Sequence, residues 1–163
     1  MSTSKVSFYP LEQGGLDEAL LFACRLTEKA MKLGHRVHLL VRSESQMQQL
    51  DELLWQFRAD SFVPHQCAGS KDAESLPDCL VTLGTVGHLP EAKEVLINLD
   101  ETVWEEHQQF PDIREIIAAD KNERSLGRAR YRVYQAQGYP LETKRLSNHP
   151  VAPPAGSPNP AGR

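Results

Sequence analysis

Arg124, Arg128 and Arg132 recur every four residues, which sets three guanidinium groups along one stripe of a helix. Such groups suit one kind of chemistry. Each fork can donate two parallel hydrogen bonds to a carboxylate or a phosphate. Tyr131 follows Arg128 by three residues and borders the stripe. Like charges at this spacing repel, by roughly 0.2–0.5 kcal/mol per pair in an isolated helix, and an incoming anion would relieve them. On spacing alone an anion site and a solvated helix face remain equally open. Arg130, which lies off the stripe, dilutes the pattern.

Other residue types that could do chemistry are less well placed. Asp100 closes the apolar run of residues 95–99, and Gly84-Thr85-Val86-Gly87-His88 follows another apolar run. Together they define the alternative reading, a small Rossmann-like nucleotide-binding protein or enzyme using the Gly84–Thr85 turn and Asp100. Yet Asp100 has no partner base or metal ligand in sequence, and the glycine turn has no basic residue beside it to hold a phosphate. The loop Tyr9-Pro10-Leu11-Glu12-Gln13-Gly14-Gly15 is neither GxGxxG nor a P-loop, and Glu12 opposes a phosphate there. No serine sits in a GxSxG elbow. The six histidines form no HxxxH or HExxH pair, and Cys24, Cys67 and Cys79 are never spaced as CxxC. No catalytic group, cofactor or metal is expected.

The charge distribution points back to the arginines. Residues 1–119 hold ten Lys/Arg against nineteen Asp/Glu, a net −9, whereas residues 120–146 hold seven against three, a net +4. A mildly acidic body with one basic segment suggests a local site for something negative. General nucleic-acid binding usually needs a broader basic face, so no direct nucleic-acid contact is expected. Scattered free cysteines indicate a reducing compartment, and no apolar run reaches the ~18 residues of a membrane span. The expectation is a cytoplasmic protein without membrane contact.

The elements that must carry these residues alternate between strand and helix. Residues 6–9 read as a strand stopped by Pro10. Residues 16–33 carry Leu16, Leu20, Ala23, Thr27 and Ala30 at helical spacing, with Asp17 and Glu18 at the start, Lys29 and Lys32 near the end, and Gly34 beyond. Residues 37–41 form a continuous apolar strand. Ser43-Glu44-Ser45-Gln46 can act as a capping box for a helix whose face is Met47, Leu50, Leu53, Leu54 and Phe57. Further strands are expected at 61–63, 79–83, 95–99 and 113–118, a helical turn in 101–109, a loop over 66–78, and a last helix over 121–137. This order predicts a three-layer α/β Rossmann-like sandwich with a mostly parallel sheet and no nucleotide-binding loop. Residues 1–146 would form that domain. Residues 147–163 hold five of the eleven prolines and read as a disordered Pro/Ala-rich tail.

A second group of large apolar residues, Leu53-Leu54-Trp55-Gln56-Phe57 with Ser61-Phe62-Val63-Pro64-His65, is crowded for a small core. It can be core, or a partly exposed patch for a protein partner. This stretch, with Arg128-Ala129-Arg130-Tyr131-Arg132-Val133-Tyr134 and Gly138-Tyr139, resembles the chi subunit of bacterial DNA polymerase III, a clamp-loader accessory protein. The resemblance covers residues 6–146. It implies a non-catalytic adaptor, part of a DNA-directed DNA polymerase holoenzyme, that links the clamp loader to coated single-stranded DNA. It implies two partners, the acidic C-terminal tail of single-stranded DNA-binding protein and the psi subunit, with a helicase-related protein in some bacteria using the psi surface. It implies Trp55, Arg124, Arg128, Tyr131 and Arg132 for the tail, and Phe62 with Val63 for psi. Position 124 is often lysine in that family, and Arg124 keeps the charge.

Overall fold

A computed structural model of the chain describes residues 4–56, 65–67, 80–90 and 93–144. The strand expected at 61–63, the residues Phe62 and Val63, and the tail from 147 lie outside the described residues. The elements are β1 (Lys5–Pro10), α1 (Leu16–Lys32), β2 (Val37–Leu40), α2 (Glu44–Gln56), β3 (Gln66–Cys67), β4 (Val81–Gly84), β5 (Val95–Asn98), a 3-10 turn (Glu105–Gln109), β6 (Asp112–Ile117), α3 (Lys121–Ala136) and β7 (Leu141–Thr143). Among the described residues seven strands form one sheet in the order β3-β4-β2-β5-β6-β1-β7, and every pairing among them is parallel.

The local chemistry explains most of these boundaries. Ser43 Oγ accepts the Gln46 N–H at 3.1 Å, as a helix cap should, while Gln46 Oε1 reaches back to the Arg42 N–H at 2.9 Å. Asp120 caps α3 by accepting the Glu123 N–H at 2.8 Å. Gly34 ends α1 with φ +86°, a conformation that suits glycine. Two features depart from the sequence reading. Gln66 and Cys67, expected within a loop, pair with Thr82 and Leu83 as a two-residue edge strand. Leu141–Thr143 pairs with β1 as the opposite edge strand, although Gly138 and Pro140 signalled only the end of a helix.

Alternation along the strands builds two cores. Leu39, Leu83, Ile97 and Ile116 face one side and pack with Leu20, Ala23, Leu50 and Leu54 of α1 and α2. Phe8, Leu40, Leu96 and Ile113 face the other side with Trp104, Phe110 and Tyr134. The result is a three-layer α/β sandwich. After β1 the chain crosses by way of α1 towards the β3 edge; after β6 it crosses by way of α3 to the β7 edge. Right-handed crossovers in opposite directions must lie on opposite faces of the sheet. The carboxyl ends of β1 and β6, which are neighbours, therefore form the topological switch point, the place where open α/β sheets take ligands.

Candidate functional site, an arginine-walled cavity

A cavity of about 700 Å³ opens beside that switch point. Phe8 and Pro10 of β1, with Leu11 and Glu12 just after it, form one side. α3 supplies Arg124, Gly127, Arg128 and Tyr131, while Ile117 of β6 and Thr143 of β7 complete the lining. The floor is largely apolar, with positive charge on the helix wall and one carboxylate, Glu12, on the loop after β1. The Tyr131 ring is half-buried and lies 5.1 Å from the Phe8 ring, so its apolar body is fixed by packing.

α3 lies close to the sheet because Gly127 faces Ile117. A Cβ on Gly127 would come within 2.6 Å of Ile117 Cδ1. The rotation of the helix is set by a buried ion pair. Arg130 Nε donates to Glu115 Oε1 at 2.7 Å, and Arg130 Nη1 donates to the Glu101 carbonyl at 3.0 Å. Tyr134 Oη and Asn98 Nδ2 donate to the other Glu115 oxygen at 2.6 and 2.8 Å. Burial and the Glu115 charge push the Tyr134 phenol well up, so it stays protonated and keeps donating. A second link joins Arg42 to Glu123, whose carboxylate is buried, at 2.5 Å, and to the Leu99 carbonyl at 2.9 Å. With Arg130 turned inward, Arg124 and Arg128 point outward, and neither has an ion-pair partner among the described residues.

The structure brings three of the sequence-predicted residues together, namely Arg124, Arg128 and Tyr131. Arg132 is exposed one turn further along α3 and does not line the cavity. Trp55 is 46% exposed on the last turn of α2, with its ring 4.6 Å from the His65 ring. His65 leads into β3, and β4, on which α2 packs, is four strands from β1. That is about 19 Å at the usual strand spacing, so Trp55 and the cavity are at different edges of the sheet. Phe8, Ile117 and Thr143 were not anticipated from the sequence. Their only signal is strand alternation, which becomes useful once the order β6-β1-β7 is known.

The other chemically suggestive residues are dispersed. Gly84 ends β4 and Asp100 follows β5, two strands separated by β2, and neither residue lines this cavity. Burial pushes the Cys24 thiol up to about 12, so it is a poor nucleophile. No group of three or more His, Cys, Asp or Glu side chains among the described residues could hold a metal ion. No helix among them is long and apolar enough to cross a membrane.

Comparison with known proteins gives a consistent set of similarities. A family profile described as DNA polymerase III chi subunit, HolC, matches residues 3–142. The DNA polymerase III subunit chi of Pseudomonas aeruginosa is 35% identical over 144 residues, covering 88% of this chain and 97% of that protein. The corresponding Haemophilus influenzae protein is 28% identical over 124 residues, covering 76% of this chain and 85% of that one. The Escherichia coli protein is 26% identical over 141 residues, covering 84% and 95%. The crystal structure of T4 UvsW superposes with a TM-score of 0.59 at 8% identity, over 86% of this chain and 41% of that one. At that identity the likeness is of fold alone.

Proposed function

Since the chain belongs to the family of DNA polymerase III chi subunits, and so to the proteins of DNA replication, we propose that it is a non-catalytic adaptor whose α3 cavity holds the acidic C-terminal tail of single-stranded DNA-binding protein. In this reading a second surface, around Phe62 and Val63, binds the psi subunit and thereby the clamp loader. The protein would then work in the bacterial cytoplasm, at the replisome.

One observation carries the first part. Arg124 and Arg128, without ion-pair partners among the described residues, meet Tyr131 and an apolar floor in one cavity. A tail that ends in phenylalanine with a free carboxylate presents the complementary pair, an anion beside a ring. An arginine fork can take the carboxylate while Tyr131 and Phe8 receive the ring. Arg132 extends the charged stripe past the cavity, towards acidic residues further back in the tail. Trp55 lies outside the cavity, so the terminal residue would be held without it. Such short tails dock with affinities around micromolar, about 8 kcal/mol, and many tails on one coated strand compensate by avidity.

Arg128→Ala is expected to weaken binding of a tail peptide by more than ~1 kcal/mol, the scale of one charged hydrogen bond. Raised salt should weaken the wild-type complex as well. Calorimetry that found the Arg128→Ala affinity unchanged would remove the cavity from this role. Phe62→Ala should lose psi in a pull-down and still bind the tail peptide. Loss of both partners by a folded Phe62→Ala protein would mean that the two surfaces are not separable.

The position of the cavity at the switch point gives some weight to a nucleotide-binding reading, because nucleotides bind there in many sheets of this kind. The loop after β1 offers Glu12 at the cavity in place of a glycine-rich amide cradle. A thermal-shift series against nucleotides decides between them: clear stabilisation by one nucleotide would favour the second reading.

A further inference from the structure

We infer that Glu12 is a specificity-determining residue of the α3 cavity, one that repels bound negative charge and so keeps the acidic tail weakly held and readily exchanged. The inference rests on the tail-binding reading above. Glu12 is exposed and is the one acidic residue among the described residues lining the cavity, on the loop after β1, while Arg124 and Arg128 line it from α3. It makes no ion pair with either arginine, nor with any other described residue. Its carboxylate is therefore not engaged in a described ion pair, and its field reaches an anion in the same cavity.

Its loop is held in place on both sides of the residue. The Leu11 N–H donates to the Ile117 carbonyl at 2.9 Å, and the Ala119 N–H donates to the Gly14 carbonyl at 2.9 Å. Gly14 adopts φ +96°, and the Glu18 side chain occupies the space that a Cβ would need. The β1–α1 loop is thus tied to the β6–α3 connection, and Glu12 is kept beside the start of the helix that carries the arginines. A cavity lined by two cations and one anion favours a ligand of modest charge that leads with a single carboxylate. A more highly charged anion gains from the arginines and loses against Glu12.

The test is calorimetry of a synthetic acidic peptide ending in phenylalanine with a free carboxylate. It is titrated into wild type, Glu12→Gln, Glu12→Lys and Arg128→Ala, at low salt and near 0.5 M salt. Glutamine keeps an acceptor oxygen and removes only the charge. Glu12→Gln is expected to bind about two- to fourfold more tightly at low salt, the scale for unit charges separated by roughly the width of such a cavity. Glu12→Lys should exceed it, and the differences should shrink at high salt as screening shortens the range of the field. Equal or weaker binding by both Glu12 variants at low salt overturns the inference. If wild type binds, Arg128→Ala loses binding and the Glu12 variants match wild type, the role of Glu12 fails and the tail reading stands. If wild type does not bind the peptide, the tail reading fails and this inference fails with it.

Discussion

Glu115→Ala is expected to lose about 3–5 kcal/mol of folding stability, the scale for breaking a buried ion pair from one side. Glu115 is fully buried in β6 and accepts hydrogen bonds from Arg130, Tyr134 and Asn98. Without it the Arg130 guanidinium, itself 3% exposed, keeps only the Glu101 carbonyl as an acceptor among the described residues. The Tyr134 hydroxyl also loses its acceptor. A domain of this size has about 5–15 kcal/mol in total, so the single variant should unfold at much lower urea than wild type. Replacing both partners with apolar residues, Glu115→Leu with Arg130→Met, should recover part of the loss, because no charge is then left buried alone while the Tyr134 hydroxyl still lacks its acceptor. An unfolding free energy for Glu115→Ala within about 1 kcal/mol of wild type would mean that water reaches the pair. The pair also bears on the site. Arg130 turned inward is what leaves Arg124 and Arg128 on the outer side of α3. A folded double variant that bound tail peptide poorly would show that the pair sets helix rotation as well as stability.

That same arginine shows what the sequence could and could not reveal. Arg130 breaks the four-residue stripe and weakened the pattern when read alone; in the structure it is the buried member of the group, and the break is the mark of a helix with one charged foot in the core. α1, β2 and β5 were legible because apolar periodicity in a long helix or a fully buried strand has few alternatives. β7 was not, since Leu141-Glu142-Thr143 is a short edge strand with no apolar run, and nothing local distinguishes it from a loop. Strand order was also invisible, because it is decided by packing between segments far apart in sequence. The cavity depends on that order: Phe8, Ile117 and Thr143 meet Tyr131 only because β1 lies between β6 and β7. The family resemblance grouped Trp55 with the arginines, whereas the order of strands puts it near the other edge of the sheet.

Acid should destabilise the protein well above the range in which its carboxylates titrate, and His38 is the reason. Its side chain is 1% exposed in the centre of the sheet, stacked 5.7 Å from the Trp104 ring and 6.2 Å from the Phe110 ring. Nδ1 shares a 2.7 Å hydrogen bond with Thr82 Oγ1, while Nε2 has no hydrogen-bond partner among the described residues. Burial without a compensating anion lowers its pKa from 6.5 to about 3. The folded state thus resists protonation that the unfolded chain accepts. As pH falls through 6.5 the unfolded state begins to bind the proton, and stability is lost at up to about 1.4 kcal/mol per pH unit until the folded pKa is reached. Between neutral pH and pH 4.5 this one group should remove on the order of 2–3 kcal/mol. Other groups titrate in the same range, so the useful quantity is a difference. His38→Gln has no titrating ring, and its stability, measured by urea unfolding from pH 7 to 4.5, should fall less steeply than that of wild type. Parallel slopes for the two proteins would show that His38 is protonated in the fold without penalty, which would require a water or carboxylate at Nε2. At neutral pH the group is mostly uncharged in both states, so its burial against the Trp104 and Phe110 rings carries little electrostatic cost there.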